Sequence, residues 1–170
     1  MATVGPDVRT AIDAGLEAPM MDGSFSEQRI RLLGRSLAQT LGRPVEIGAR
    51  KEYGSCDYLV TTWNSDGACA PPNSPQFRPD WEIDVAVSRR GPLFAVLVFQ
   101  WTRNVRQIVM EDNQIPKALQ ERCNIVRGWG SNQKVTEVPK EYWAAPAGKR
   151  LTELDSEPAS VFDVLFSELI

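Results

Sequence analysis

The chain has 170 residues, of which 42% are hydrophobic and 24% are charged, and its net charge is -3. This length and balance predict a globular domain with a continuous core, and they exclude a fibrous repeat or a wholly disordered chain. The sequence contains no histidine, which excludes Ser-His-Asp and Cys-His catalysis and histidine-ligated metals.

Three cysteines without a CxxC pair predict reduced thiols in a cytoplasmic protein, with no metal and no cofactor. Residues 1–23 mix small residues without a sustained period, so we expect a loosely ordered arm with one short helix near Val8 to Gly15. The segment has no apolar core of signal length, and no later run is long enough to span a membrane. Residues 24–170 are predicted to form a single domain.

A helix is predicted to open that domain. Ser24 and Glu27 have the spacing of a capping box, which places the start of the helix at Ser24. Apolar residues then recur at helical spacing, at Ile30, Leu33, Leu37 and Leu41. Gly42 and Pro44 end the pattern. The arginines of this helix are interpreted as its solvated side.

Four strands are predicted next. The first two, Val45 to Lys51 and Asp57 to Trp63, are joined by a short turn at residues 53–55. In the second, one face would carry Tyr58, Val60 and Thr62, and the other Leu59, Thr61 and Trp63. Residues 64–80 follow and are crowded with Pro, Asn, Ser and Gly, which predicts a long loop. Loops of this length are often binding loops or mobile insertions, and the sequence leaves both open.

The most regular stretch is WEIDVAVSRRGPLFAVLVFQWTR, residues 81–103. Its first arm alternates and predicts a strand with one apolar and one wetter face, while the arm from Leu93 to Phe99 is apolar throughout. An apolar run without alternation is typical of a central strand that is covered on both sides. The stretch is therefore predicted to be the central hairpin of the sheet.

The C-terminal half has weaker signals. A helix is predicted from Ile115 to Cys123, a tight glycine turn over residues 126–132, and a short edge strand from Lys134 to Val138. A last helix is predicted to open at Ser156 and to carry a wide apolar stripe, made by Val161, Phe162, Leu165, Phe166 and Leu169. That stripe also offers a surface for a possible homodimer.

The element order predicts an α+β fold. We expect a mostly antiparallel, curved sheet of four to five strands, packed by the N-terminal and C-terminal helices.

Two carboxylates, Glu82 and Asp84, share one face of the first hairpin arm. With Asp80 before them and the apolar strand Ala95 to Phe99 after them, the stretch resembles the hairpin of the PD-(D/E)xK nuclease superfamily. The resemblance implies a divalent metal held by carboxylates. Gln100 stands where that family has its second acidic residue, and the lysine that should follow two residues later is missing.

A metal site of Glu82, Asp84 and Gln100 would therefore need a further carboxylate, from Glu27 or Glu46. The alternative is structural: the two acids form salt bridges with neighbouring cations on the hairpin face. The candidates are Arg89, Arg90 and Arg50.

Tryptophan and arginine are also concentrated after the apolar strand, and these residue types are enriched in the energetic centres of protein interfaces. The candidates for partner binding are Trp101, Arg103, Arg106, Arg127 and Trp129. The alternative for the tryptophans is that they fill the core. The acidity of the chain disfavours nucleic acid as the partner.

Two functions follow from these observations. The leading interpretation is a small, acidic, cytoplasmic module without catalytic activity that recognises a partner protein, such as an immunity protein, an inhibitor or a secretion chaperone. The alternative is a metal-dependent nuclease-like enzyme, or an inactive relative of one, that uses Asp84 and its neighbours.

Overall fold

The computed structural model describes residues 6–48, 54–68, 80–152 and 156–166. Its helices are α1 Pro6–Glu17, α2 Gly23–Leu41, α3 Lys117–Asn132 and α4 Val161–Phe166. Its strands are β1 Glu46–Ile47, β2 Cys56–Trp63, β3 Trp81–Ser88, β4 Leu93–Thr102, β5 Val105–Ile108, β6 Thr136–Glu137, β7 Pro146–Leu151 and β8 Pro158–Ser160.

The main sheet has six strands, in the order β1-β2-β3-β4-β5, and β6 pairs with the beginning of β4. Every neighbouring pair is antiparallel except β4 and β6, which are parallel. A second sheet holds only β7 and β8. The predicted α+β class and single domain are confirmed, but the sheet is mixed and has more strands than the four to five expected.

Helices cover both faces of the sheet, as the apolar β4 predicts. The first face packs against α2 and α3 and buries alternate residues of β3 and β4, which are Trp81, Ile83, Val85, Val87, Phe94, Val96 and Val98. The second face packs against α1 and α4 around Leu93, Ala95 and Leu97. A strand between two apolar layers has no solvated side, which is why β4 shows no alternation.

The N-terminal region holds more structure than a loosely ordered arm with one short helix. Helix α1 has 12 residues, Ile12 is buried in the second core, and the helix packs against α4. Helix α2 begins at Gly23, and its N-cap is Asp22, whose carboxylate accepts a hydrogen bond from the Ser24 backbone N–H. The cap predicted at Ser24 is therefore wrong by two residues. Gly42 ends the helix in the left-handed conformation, with φ of 65°, as its glycine predicts.

Helix α3 corrects the predicted turn over residues 126–132, because the helix continues to Asn132. Gly130 lies against the ring of Phe94, and a Cβ at this position would come within 2.4 Å of that ring. The glycine therefore allows the helix to approach the sheet closely, and it does not break the helix.

The last helix begins later than expected. Residues 158–160 form β8, and α4 starts only at Val161. Its described apolar residues Val161, Leu165 and Phe166 are buried inside the second core, so they are not available as a dimer surface. Leu169 lies outside the described residues, as do most of the 64–80 loop and the end of the strand predicted over 45–51.

Candidate functional site

The wet face predicted for β3 is wrong. Glu82 is 7% exposed and Asp84 is 2% exposed, and Ala86 and Ser88 on the same face are fully buried. The two carboxylates therefore lie inside the protein, where an ionised acid is stable only with a cation or a hydrogen-bond donor beside it.

The cation beside the two carboxylates is Arg106. The cations expected from the sequence were Arg89, Arg90 and Arg50. Strand β4 continues to Thr102, and a two-residue turn at Arg103 and Asn104 returns the chain as β5. Both turn residues have positive φ, at 49° and 71°, as a type I′ hairpin turn requires. The turn brings Arg106 opposite Trp101 and onto the face that holds the carboxylates.

Arg106 contacts both acids. Its Nε donates to Glu82 Oε1 at 2.9 Å, and its Nη2 lies 2.7 Å from the same oxygen and 2.5 Å from Asp84 Oδ2. Trp101 Nε1 donates to the other oxygen of Glu82 at 3.0 Å. The guanidinium also lies over the Phe99 ring, 3.5 Å from its centroid. We call Glu82, Asp84, Trp101 and Arg106 the β3–β5 cluster.

Two carboxylates and one guanidinium leave one negative charge in excess if both acids ionise. Burial, the charge of Glu82 and a hydrogen bond to Glu82 raise the pKa of Asp84 to about 8, against the opposing effect of Arg106. Asp84 is therefore mostly neutral at pH 7, and its proton makes the hydrogen bond to Glu82. The cluster is then electrically balanced.

Gln100 does not join this cluster. It is the cross-strand neighbour of Trp81 and so projects from the opposite face of the sheet. In the described part of the chain, no group of three or more Cys, Asp or Glu side chains is placed to hold a metal ion. Glu27 is instead paired with Arg31 on its own helix, at 2.7 Å.

The other hairpin arginines are anchored by backbone oxygens. Arg89 donates to the carbonyls of Gly54 and Met21, and Arg90 donates to the carbonyl of Ala18. Arg29 of α2 reaches the carbonyls of Ser88 and Gly91, so it is not on a solvated side as the sequence suggested. These arginines attach the β3–β4 turn to the N-terminal region.

The five residues predicted to bind a partner separate into three places. Trp101, Arg103 and Arg106 come together on the β4–β5 hairpin. Arg127 lies on α3 and pairs with Glu137 of β6 at 3.0 Å. Trp129 is only 2% exposed, and it packs edge-on against Phe94 while donating to Ser36. Its assignment to a surface is therefore corrected to the core.

Strand β5 was not predicted from the sequence. All four of its residues are exposed, including Val105 at 54% and Ile108 at 43%, and Met110 beyond its end is 45% exposed. In the described ranges no strand pairs with its outer edge. The signal available was the pair of β-branched residues Val105 and Ile108 after Asn104. Four residues without a regular alternation are too few to distinguish a strand from a loop.

The register shows which backbone groups of β5 face outward. Val109 N–H donates to Val98 C=O at 2.8 Å, and bonded pairs alternate along an antiparallel ladder. Gln107 therefore bonds to Gln100, and Val105 to Thr102. Arg106 and Ile108 direct their N–H and C=O groups away from β4, toward solvent.

The fold and this edge together define a three-layer α+β domain in which the exposed edge of β5 lies beside a buried ionic cluster. No protein family, characterised protein or solved structure matches the chain significantly. None of the described helices has the length and apolar character needed to cross a membrane.

Proposed function

We propose that this chain is a protein-binding module without catalytic activity, of the kind used as an immunity protein, an inhibitor or a secretion chaperone in the cytoplasm. It acts by adding a strand of its partner to β5. The observation that carries the proposal is the outward direction of the N–H and C=O groups of Arg106 and Ile108. Open strand edges of this kind bind extended peptide segments through backbone hydrogen bonds.

The side chains around this edge indicate the chemistry of the partner segment. Val105, Ile108 and Met110 offer apolar contact, and the hairpin carries Arg103 and Arg106 with no acidic residue between positions 101 and 110. Arg103 has no ion-pair or hydrogen-bond partner among the described residues. We therefore propose that the partner of β5 is an extended segment of another protein and that this segment carries apolar residues and a carboxylate.

The β3–β5 cluster supports this function by holding the edge in place. Arg106 ties β5 to two buried carboxylates of β3, so the edge is ordered before a partner arrives. A pre-ordered edge loses less conformational entropy on binding than a mobile segment does.

A metal-dependent nuclease has less support. The two buried acids are already occupied by a guanidinium, and Gln100 projects from the other face. Plasmid cleavage by the purified protein with Mg²⁺ or Mn²⁺ that disappears in Asp84→Ala would favour the nuclease over the binding module.

The binding proposal is tested with Ile108→Pro. The Ile108 N–H faces outward, so proline removes a donor for the partner strand without removing a bond to β4. A photo-crosslinking amino acid at Gln107 is expected to attach one stoichiometric partner protein in the native lysate. Adding Ile108→Pro should reduce this product by about tenfold or more, since hydrogen bonds to the partner are lost.

Two controls accompany this experiment. Ile108→Ala keeps the N–H and removes only apolar contact, so it should reduce cross-linking less than Ile108→Pro does. A crosslinker at Gln39, an exposed position of α2, should not attach the partner. Equal cross-linking by the Ile108→Pro variant, or equal product from position 39, would overturn the proposal.

A further inference from the structure

A second stretch of open strand edge lies inside the protein, on the same side of β4. Strand β6 pairs with β4 at Leu93 and Phe94, and β5 pairs with it from Phe99 to Thr102. Between these two neighbours, no described strand lies opposite Val96. Trp101 N–H bonds to Asp80 C=O on the β3 side, so the alternate residues Val96 and Val98 direct their backbone groups to the other side.

Val96 lines a pocket of about 100 Å³ together with Val98, Ile115 and Cys123. The residue is 3% exposed. Buried backbone N–H and C=O groups are nearly always hydrogen-bonded, to protein, water or a ligand. The Val96 N–H and C=O, which no described strand pairs with, therefore offer one strong donor and one strong acceptor to an occupant of this pocket.

The rim of the pocket carries balanced charge. Two cations and one acid line the pocket, which are Arg127, Lys140 and Asp112. Lys140 pairs with Asp112 at 2.6 Å. Arg127 pairs with Glu137 at 3.0 Å. Arg127 uses its Nε and Nη1 atoms in hydrogen bonds, and its Nη2 has no partner among the described residues. Paired cations and acids favour a ligand that carries both charges over a simple anion.

We propose that this pocket binds a small zwitterionic α-amino acid of the size of glycine or alanine. Its ammonium and carboxylate take the positions of the N–H and C=O of a strand residue opposite Val96. The carboxylate accepts from the Val96 N–H and from Arg127, and the ammonium donates to the Val96 C=O and to Asp112. Glycine and alanine have five and six non-hydrogen atoms, and a cavity of about 150 Å³ holds the six carbons of benzene. The pocket of about 100 Å³ is smaller but open at its rim, where the Asp112 side chain is 75% exposed, so the charged groups of the ligand extend into the rim.

The thiol of Cys123 contributes shape and no charge. Burial raises the pKa of Cys123 to about 11, so the side chain stays a neutral thiol at physiological pH. Its small volume keeps the floor of the pocket open, which makes it the position for a substitution that fills the pocket.

The test is a titration of the ¹⁵N-labelled protein with glycine or L-alanine, followed by the backbone amide signals. We expect saturable shifts at Val96 and Val98, with a Kd of about 1 mM or tighter for a ligand of this size. Acetate and methylammonium, which each carry one of the two charges, should bind at least about tenfold more weakly. L-tryptophan should not bind.

Two variants localise the site. Arg127→Gln removes a donor to the carboxylate and should weaken glycine binding by about tenfold. Cys123→Leu fills the floor and should also weaken it, while Arg103→Gln on the β4–β5 hairpin should leave it unchanged. Ile108→Pro should likewise have no effect, so this proposal is tested independently of partner binding.

Three results would overturn the assignment. The first is the absence of a saturable shift at Val96 with either amino acid, which would leave water as the occupant. The second is binding of acetate as tight as that of glycine, which would mean that the ammonium is not recognised. The third is unchanged affinity in Arg127→Gln, a substitution of a half-buried pocket residue that lies outside the apolar core.

Discussion

The two faces of β3 differ in composition but not in burial. Trp81, Ile83, Val85 and Val87 face α2 and α3 and are buried by apolar contact alone. Glu82 and Asp84 are buried to a similar extent on the opposite face, yet they depend on hydrogen bonds and on the charge of Arg106. A polar position in an alternating strand therefore marks a need for hydrogen-bond or charge partners and not necessarily for solvent.

The largest effect is expected on the apolar face. Ile83 is fully buried, and Ile83→Ala should lower the free energy of unfolding by about 2 to 5 kcal/mol, because it removes buried methyl groups and leaves a cavity. Urea denaturation monitored by tryptophan fluorescence measures this loss. The matched control Leu32→Ala on the exposed side of α2 should change stability by about 0.5 kcal/mol or less.

On the polar face, Arg106→Met should cost about 2 to 3 kcal/mol. Removing one partner of a fully buried ion pair costs more, but the Arg106 side chain is 38% exposed and solvent screens part of the interaction. The same urea experiment tests it. Arg103→Met, two residues before β5, should have almost no effect, and equal losses for the two substitutions would contradict the role assigned to Arg106.

A pair of glycines in α3 tests how closely the apolar face is packed. A Cβ at Gly130 would collide with Phe94, whereas one at Gly128 meets nothing within 4 Å. Gly130→Ala should therefore destabilise the protein by about 1 to 3 kcal/mol. Gly128→Ala should stabilise it by about 0.5 to 1 kcal/mol, because alanine is the better helix former. Thermal unfolding of both variants gives the comparison, and a stabilising Gly130→Ala would show that α3 lies farther from the sheet.

The smallest effect at neutral pH is expected for Asp84→Asn. With a pKa of about 8, Asp84 is mostly neutral at pH 7, and an amide is close in shape and polarity to a protonated carboxyl. We expect a change of about 1 kcal/mol or less. Asp84→Leu is the contrasting variant, because it removes the hydrogen bonds to Glu82 and Arg106, and it should be less stable than Asp84→Asn.

The stability of the protein should also depend on pH through Asp84. Because the folded pKa of Asp84 lies above its unfolded value of about 4, the folded state binds more protons between these two values. The contribution of this group to stability is therefore full below about pH 4 and is lost as the pH rises to about 8. Urea midpoints at acidic, neutral and alkaline pH should fall with pH in the wild type. A fall of the same size in Asp84→Asn would show that another group is responsible.

The sequence predicted those parts of the fold that local periodicity controls. Strands β2 and β3 follow from their two-residue periodicity, and helix α2 follows from the recurrence of Ile30, Leu33 and Leu37. Strand β4 follows from its apolar run, which also predicted cover on both sides. The extension of α3 through Gly128 and Gly130 was not predictable, because it depends on how closely the helix approaches Phe94.

For the candidate site, the sequence supplied the residue types but not their grouping. Glu82 and Asp84 were assigned to a metal site or a wet face, and Trp101 and Arg106 to a partner surface. The structure combines them in one cluster, because a two-residue turn folds β5 back onto β4. Gln100 lies on the opposite face of the sheet from Glu82 and Asp84, because side chains alternate along a strand. Trp129 is buried and not on the partner surface, because α3 packs it against Phe94.

The sequence alone predicted strands β2 to β4 and helix α2, because side chains repeat with the period of each backbone conformation or, in β4, form one apolar run. It also determined that catalysis by histidine is excluded. Which charged side chains form ion pairs, and which strand edges remain unpaired, depend on the tertiary structure. These features depend on register between segments that lie far apart in the chain, and a register shift of one residue would turn Arg106 away from Glu82 and Asp84.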